Sequence, residues 1–266
     1  MSVLLAIASS ERHRGRSAVL LQRSYYANRR SWGGLATGFL EPLFYLFTLG
    51  AGLGTVVGKV YSADGMAISY AAFIAPALLA STTMNAAFYD LSVGFFFRLR
   101  HARLYEAVLA TPTGVIDIVL GEALWTSIQG TLYASAFLAA MYAVGVTTSF
   151  WALIAIPAAF LVAFTFGLLA MAGATFIRSW SDVQLVQLVT VPMLLFATTF
   201  YPINVYPESS RPIIEILPLY QANVLMRSIV AGEWTASAVF AFAYLVALAG
   251  IGGVVSVSRL DRYFRE

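Results

Sequence analysis

The chain has 266 residues, 60% of them apolar and only 11% charged, with a mean hydropathy of +0.79 and a formal net charge of +3. Soluble domains run at about 45–50% apolar and about 25% charged, so a water-facing globule is excluded. Cysteine is absent and His occurs twice, which excludes disulfide-stapled folds and Cys-ligated or multi-His metal sites, and a charge this small gives no argument for nucleic acid.

A helix needs about 20 mostly apolar residues to cross a ~30 Å hydrocarbon core. Six stretches qualify: 35–57, 70–96, 116–145, 151–177, 184–201 and 235–257. The apolar run at 3–8 is too short for a signal peptide and precedes the charges instead of following them, so the start is expected to stay uncleaved. Residues 11–34 mix Arg with Val19, Leu20, Leu21, Tyr25, Tyr26 and Trp32. This reads as a helix lying in the interface, apolar groups down and Arg toward headgroups; a disordered basic tail is the plainer alternative.

The first span carries Glu41, followed by Pro42, and the glycines Gly50, Gly54 and Gly58 at GxxxG spacing. Small residues so placed let helices approach closely, within the chain or between two copies. The second span carries Asp90, eight residues before Arg98. Segment 97–113 is basic and helix-compatible up to Pro112, with Leu99, Leu104, Ala107 and Val108 as an apolar face, and Arg103 and Glu106 spaced to pair. Such a segment suits docking to another protein; from charge alone, an ordinary loop whose Arg residues fix topology is the favoured reading.

The third span opens near Asp117 and carries a polar stripe: Glu122, Thr126, Gln129 and Tyr133 at i, i+4, i+7 and i+11 share one helix face. An ionisable group at a span's centre costs roughly 2.5–3.5 kcal/mol, less near its ends, so Glu41, Asp90, Asp117 and Glu122 all need explaining. The stripe reads first as helix–helix hydrogen bonding, at ~0.6 kcal/mol per contact, and second as a pathway wall. The fifth span ends at the Tyr201-Pro202 step. Segment 202–234 is rich in Ile, Leu and Val but is cut by Pro202, Pro207, Pro212 and Pro218 into pieces too short to span. It reads as short helices that dip into the outer leaflet or cap the bundle.

Basic residues set the orientation. Thirteen fall on one side (Arg12, Arg14, Arg16, Arg23, Arg29, Arg30, Arg98, Arg100, Arg103, Arg178, Arg259, Arg262 and Arg265) against Lys59, Arg211 and Arg227 on the other. The positive-inside rule then places both termini in the cytoplasm. Catalytic motifs are missing. The run at Gly52–Val60 superficially suggests a phosphate loop, but Leu53 stands where the first Gly is required and Val60 replaces the Ser/Thr that would reach Mg²⁺. No metal site is expected either; His13 and His101 sit in basic segments.

The layout resembles the type-2 ABC exporter permeases, especially the nodulation-factor and daunorubicin-resistance permease group. The resemblance covers nearly the whole chain and rests on FLEPLFYLFTLGAGLG at 39–54, FIAPALLASTTMNAAFYD at 73–90 and RLYEAVLATPTGVIDIVLGEALW at 103–125, the last being the most specific. It implies an all-α membrane protein, one domain over 1–266, with six transmembrane helices. Residues 1–34 would hold an interfacial helix, 97–113 a cytoplasmic coupling helix, and 202–234 external re-entrant helices. Arg98, Arg100, His101, Arg103, Leu104, Tyr105, Glu106, Thr111 and Pro112 would then couple to a separate ATP-binding subunit. ATP and Mg are expected on that partner, with no cofactor in this chain.

The resemblance further implies two permeases, identical or homologous, with two nucleotide-binding subunits in a bacterial plasma membrane. They would export a drug, lipid or glycolipid. Glu122, Thr126, Gln129, Tyr133, Phe196, Phe200 and Tyr201 are candidate pathway residues, and Glu41, Asp90 and Asp117 the remaining intramembrane carboxylates. A proton-coupled secondary transporter, motivated by those carboxylates, and a non-transporting scaffold or receptor are the rival readings.

Overall fold

Residues 70–101 are apolar around most of their circumference, the pattern of a helix enclosed by other helices, and they form one continuous helical stretch of 32 residues. The structure is a computed structural model and describes residues 16–28, 40, 43–61, 67–177, 179, 182 and 184–265. The expectations for Glu41, Pro42, Trp32, Arg12, Arg14, Arg29, Arg30 and Arg178 fall outside those residues.

In chain order, α1 is Arg16–Asn28. A second helix, α2, covers residues 43–57 and is π-wound over Leu46–Leu53. A short antiparallel hairpin, β1 Lys59–Tyr61 with β2 Ala67–Ser69, pairs Val60 with Ile68. Helix α3, Tyr70–Tyr89, runs on through π turns at Asp90–Gly94 and Phe97–His101. Then come α4 Leu104–Leu109, α5 Val115–Ala143, α6 Ala155–Ala174 and α7 Gln184–Phe196. The last three are α8 Arg211–Glu215, α9 Pro218–Ala231 and α10 Ala236–Arg265.

Local chemistry sets these ends. The Ser69 hydroxyl accepts the Ala72 amide at 3.2 Å and so caps α3. Gly58, at φ +70°, stops α2 in the left-handed conformation that a side chain would resist. The three GxxxG glycines therefore have different surroundings. Gly50 lies against α3, where an added Cβ would sit 3.3 Å from the Ala71 Cβ; Gly54 faces open space; Gly58 ends the helix.

Three helices are long and apolar enough to cross a membrane among the described residues: Tyr70–His101, Phe150–Ala174 and Ala236–Arg265. A fourth is reached if the pair Glu208–Glu215 and Pro218–Ala231, bent by 85°, counts as one broken span. The sequence reading of six is thus met in part. Helix α5 has 29 residues and is ~43 Å long. That length is ample, but Asp117, Glu122, Thr126 and Gln129 dilute its apolarity. Helix α7 has 13 residues, and α2 is described only from residue 43.

Helix α6 is central and packs against α3, α5 and α10, while α9 packs on α3 and α10. Small residues permit these approaches. An added Cβ on Gly130 would lie 2.8 Å from the Ala163 Cβ, and one on Gly167 2.8 Å from Leu91. Two apolar cores result. One gathers Leu79, Met84, Phe137, Phe166 and Met226. The other, at the Arg-rich end of the helices, gathers Leu91, Phe95, Phe96, Ile118 and Met171.

Two sequence expectations are redrawn here. Segment 97–113 does not form one helix, because α3 continues through His101. The chain breaks at Arg103, at φ +45°, and only Leu104–Leu109 is a separate helix. A left-handed non-glycine residue costs of order 1–3 kcal/mol, so packing on either side holds this turn. Helix α1, moreover, does not turn all its Arg residues outward. It lies on α5 with Leu20 pressed over Gly121, where an added Cβ would come within 2.8 Å of the Leu20 Cβ, and Arg23 points into the protein.

Candidate functional site

Where α1, α3, α4 and α5 meet, charged side chains converge in the Arg-rich half of the bundle. The π turn at Asp90–Gly94 takes more residues per turn than an α-helix, which brings residues four apart closer to one line: Asp90, Gly94, Arg98. Gly94 leaves the space between the two charges, since an added Cβ there would sit 3.0 Å from Asp90 Oδ1 and 3.2 Å from Arg98 Nη1.

Arg98 is the hub. Its Nη1 donates to Asp90 Oδ1 at 3.1 Å, its Nη2 lies 3.2 Å from Glu122 Oε2, and its Nε donates to the Tyr105 hydroxyl at 3.2 Å. Tyr105 in turn donates to Glu122 Oε1 at 2.9 Å, and Thr126 donates to Asp90 Oδ2 at 2.6 Å. From α1, Arg23 Nη1 stands 3.9 Å from Glu122 Oε1. The Glu122 side chain is 3% exposed and Tyr105 fully enclosed, its ring 5.1 Å from that of Phe95. Burial, with the Glu122 carboxylate beside it, holds the Tyr105 phenol well above its ordinary range. The phenol therefore stays a neutral donor linking the guanidinium to the carboxylate. Two carboxylates face two guanidinium groups, so burial leaves no uncompensated charge.

The coupling set divides. Arg98 and Tyr105 turn inward, Leu104 is half-buried, and His101, Arg103, Glu106, Thr111 and Pro112 are exposed. Arg100 lies 5.2 Å from the Tyr263 ring centroid near the end of α10, and His101 stacks on Phe97 at 5.6 Å. Among the described residues Arg103 and Glu106 form no ion pair; Arg98 is the paired arginine of this segment. The turn at Arg103 and helix α4 thus present Arg103 and Glu106 outward, while Tyr105 fixes α4 to α3 and α5.

The pathway set divides too. Glu122 and Thr126 enter the ion cluster, whereas Gln129 and Tyr133 are half-buried beyond it. Phe196 and Tyr201 are exposed, and the Phe200 carbonyl accepts the hydroxyl of Tyr70, the first residue of α3, at 3.2 Å. The two groups therefore lie toward opposite ends of α3 and are not brought together. Asp117 occupies the third position of α5, where its carboxylate accepts the Gly114 amide at 2.9 Å. It caps the helix at the positive end of its dipole.

Sequence reasoning missed the roles of four residues. Arg23 counted toward topology and as one of the arginines turned toward headgroups, and Gly94 went unremarked. Arg227 counted only toward topology, yet near the start of α3 it donates to the Phe73 carbonyl at 3.3 Å and the Thr198 carbonyl at 2.5 Å, and it lies 4.0 Å over the Phe73 ring. Asn223 donates to the Ala197 carbonyl at 2.7 Å. Together they satisfy backbone groups freed where α7 ends and Thr198 turns to φ +58°. Among the described residues no group of three or more His, Asp or Glu is placed to hold a metal ion.

Residues 17–231, from α1 to the end of α9, match the profile of the family described as ABC-2 type transporter. The chain is 32% identical over 214 residues to Nodulation protein J of Rhizobium meliloti (strain 1021), a match covering 80% of each chain. The same identity and coverage hold for Nodulation protein J of Rhizobium leguminosarum bv. trifolii. For that of Rhizobium leguminosarum bv. viciae the identity is 30% over 214 residues, covering 80% of this chain and 81% of the relative. The matched region contains every member of the ion cluster.

Proposed function

The chain belongs to the ABC-2 type transporter family, as a permease of the nodulation group, and from that premise we propose that it is moved by ATP hydrolysis on a separate nucleotide-binding subunit. It is a multi-pass membrane transport subunit and not an enzyme. In this reading two permeases and two nucleotide-binding subunits form one exporter in the bacterial plasma membrane. Each permease crosses the bilayer six times and keeps both termini in the cytoplasm. ATP and Mg belong to the partner. The cargo is hydrophobic or amphipathic (a drug, lipid or glycolipid), and it leaves between the permeases, past α8 and α9, whose 85° bend suits a re-entrant pair.

One observation carries the coupling. The turn at Arg103 and helix α4 expose Arg103 and Glu106, while the buried Tyr105 of α4 is bonded to Arg98 of the α3 stretch and Glu122 of α5. Tyr105 makes two hydrogen bonds to charged groups, each contributing about 1.5–3 kcal/mol, several times thermal energy. A push on α4 therefore displaces α3 and α5 with it before the junction parts. Arg23 brings α1 into the same unit.

Purification of the tagged chain in mild detergent, with mass spectrometry of what accompanies it, tests the assembly. An ABC nucleotide-binding subunit in equal amount to the permease is expected. A chain that retains transport yet carries no nucleotide-binding subunit overturns the proposal.

A further inference from the structure

An apolar crevice of about 190 Å³ opens between the ends of α3 and α6 and the start of α7, walled by Phe88, Phe176, Ile177, Val186 and Val189 and lined also by Gly173. The volume falls below the ~300–1,000 Å³ of sites that enclose drug-sized compounds; it suits a hydrocarbon chain. Over Gly173 the space is open, for an added Cβ would meet no atom within 4 Å. Ser92 lines the crevice but is internally satisfied by the Phe88 carbonyl at 2.5 Å, and the Asp182 carboxylate at its edge accepts the Ser179 amide at 3.0 Å.

The wall residue Phe176 also lies under a cation. The Arg259 guanidinium sits 4.0 Å from its ring centroid, with the Thr175 hydroxyl, 3.5 Å from Nε, as a further contact. Among the described residues no carboxylate forms an ion pair with Arg259. Arg259 stands on α10, which starts at Ala236. It is therefore ~35 Å from the start of that helix at about 1.5 Å per residue, which puts it at headgroup depth for a ~30 Å core. A crevice sized for a chain, with an arginine at headgroup depth over the ring of its wall residue Phe176 and no carboxylate paired to it among the described residues, matches an amphiphile with an anionic head.

We infer that this crevice is a binding site for an anionic phospholipid of the surrounding bilayer, one acyl chain beside Gly173 and the phosphate at Arg259. The site needs membrane embedding but neither ATP nor cargo, so it goes beyond the export reading and stands or falls apart from it.

Native mass spectrometry of the full chain in detergent, given phosphatidylglycerol or phosphatidylcholine, tests the site. The wild-type protein should retain phosphatidylglycerol about fivefold better, the worth of one arginine near an anionic surface. Gly173→Leu fills open space, so it should keep the fold and lose retention of both lipids. Arg259→Gln should keep chain binding and lose the preference. Equal retention of the two lipids by wild-type protein overturns the site, as does unchanged retention in Gly173→Leu. If Gly173→Leu instead converts a dimer to monomers, a second copy occupies the crevice. If it leaves lipid retention intact but stops export, cargo does. Either result rejects the resident lipid.

Discussion

Glu122→Ala lowers the stability of the purified permease by about 3 kcal/mol, the low end of the range for breaking a buried ion pair. The low end applies because Asp90 still faces Arg98 at 3.1 Å. The loss has two parts. The guanidinium forfeits its most deeply buried counter-charge, and the Tyr105 hydroxyl, in a fully enclosed position, forfeits its acceptor. Glu122→Gln keeps a carbonyl for Tyr105 and should cost less. Denaturant unfolding followed by tryptophan fluorescence measures both variants, and both should also weaken the link between ATP hydrolysis and transport. If Glu122 serves only as a pathway wall, transport changes while the unfolding midpoint does not.

The second large effect is expected at the outer face of the same junction. Joint charge reversal, Arg100→Glu with Arg103→Glu, should weaken capture of the nucleotide-binding subunit roughly a hundredfold, because placing like charges opposite one another costs several kcal/mol. Arg100 also lies over Tyr263, so Arg100→Gln alone serves as the control for losing that contact. The variant should extract and migrate as wild type, since both arginines stand outside the buried cluster. Unchanged capture would move the docking surface away from α4.

Much of this arrangement is legible in the residues. The spans at 70–96, 151–177 and 235–257 need only apolar length, and the structure has helices there. The break before Pro112 and the proline-cut segment 202–234 follow from proline's missing N–H. Asp90 and Arg98, eight residues apart, already stood two helical turns from one another. Spacing along one helix gives a face but not what that face meets. Glu122 therefore reads as part of a stripe on α5, while its partners arrive from α1, the α3 stretch and α4. Nothing local marks Arg23 or Arg227 as inward-facing, because each is turned inward by elements far away in sequence. Gly94 matters through a π turn, and apolar periodicity carries no signal for such a turn.

In the proposed cycle ATP, spent on a separate subunit, moves this permease. Proteoliposomes holding the permease with its nucleotide-binding subunit test it most directly, through transport of a fluorescent lipid at constant ATP with and without a protonophore. Transport that survives collapse of the proton gradient and stops with vanadate is the predicted result. Transport that stops with the protonophore while ATP is maintained would contradict the account.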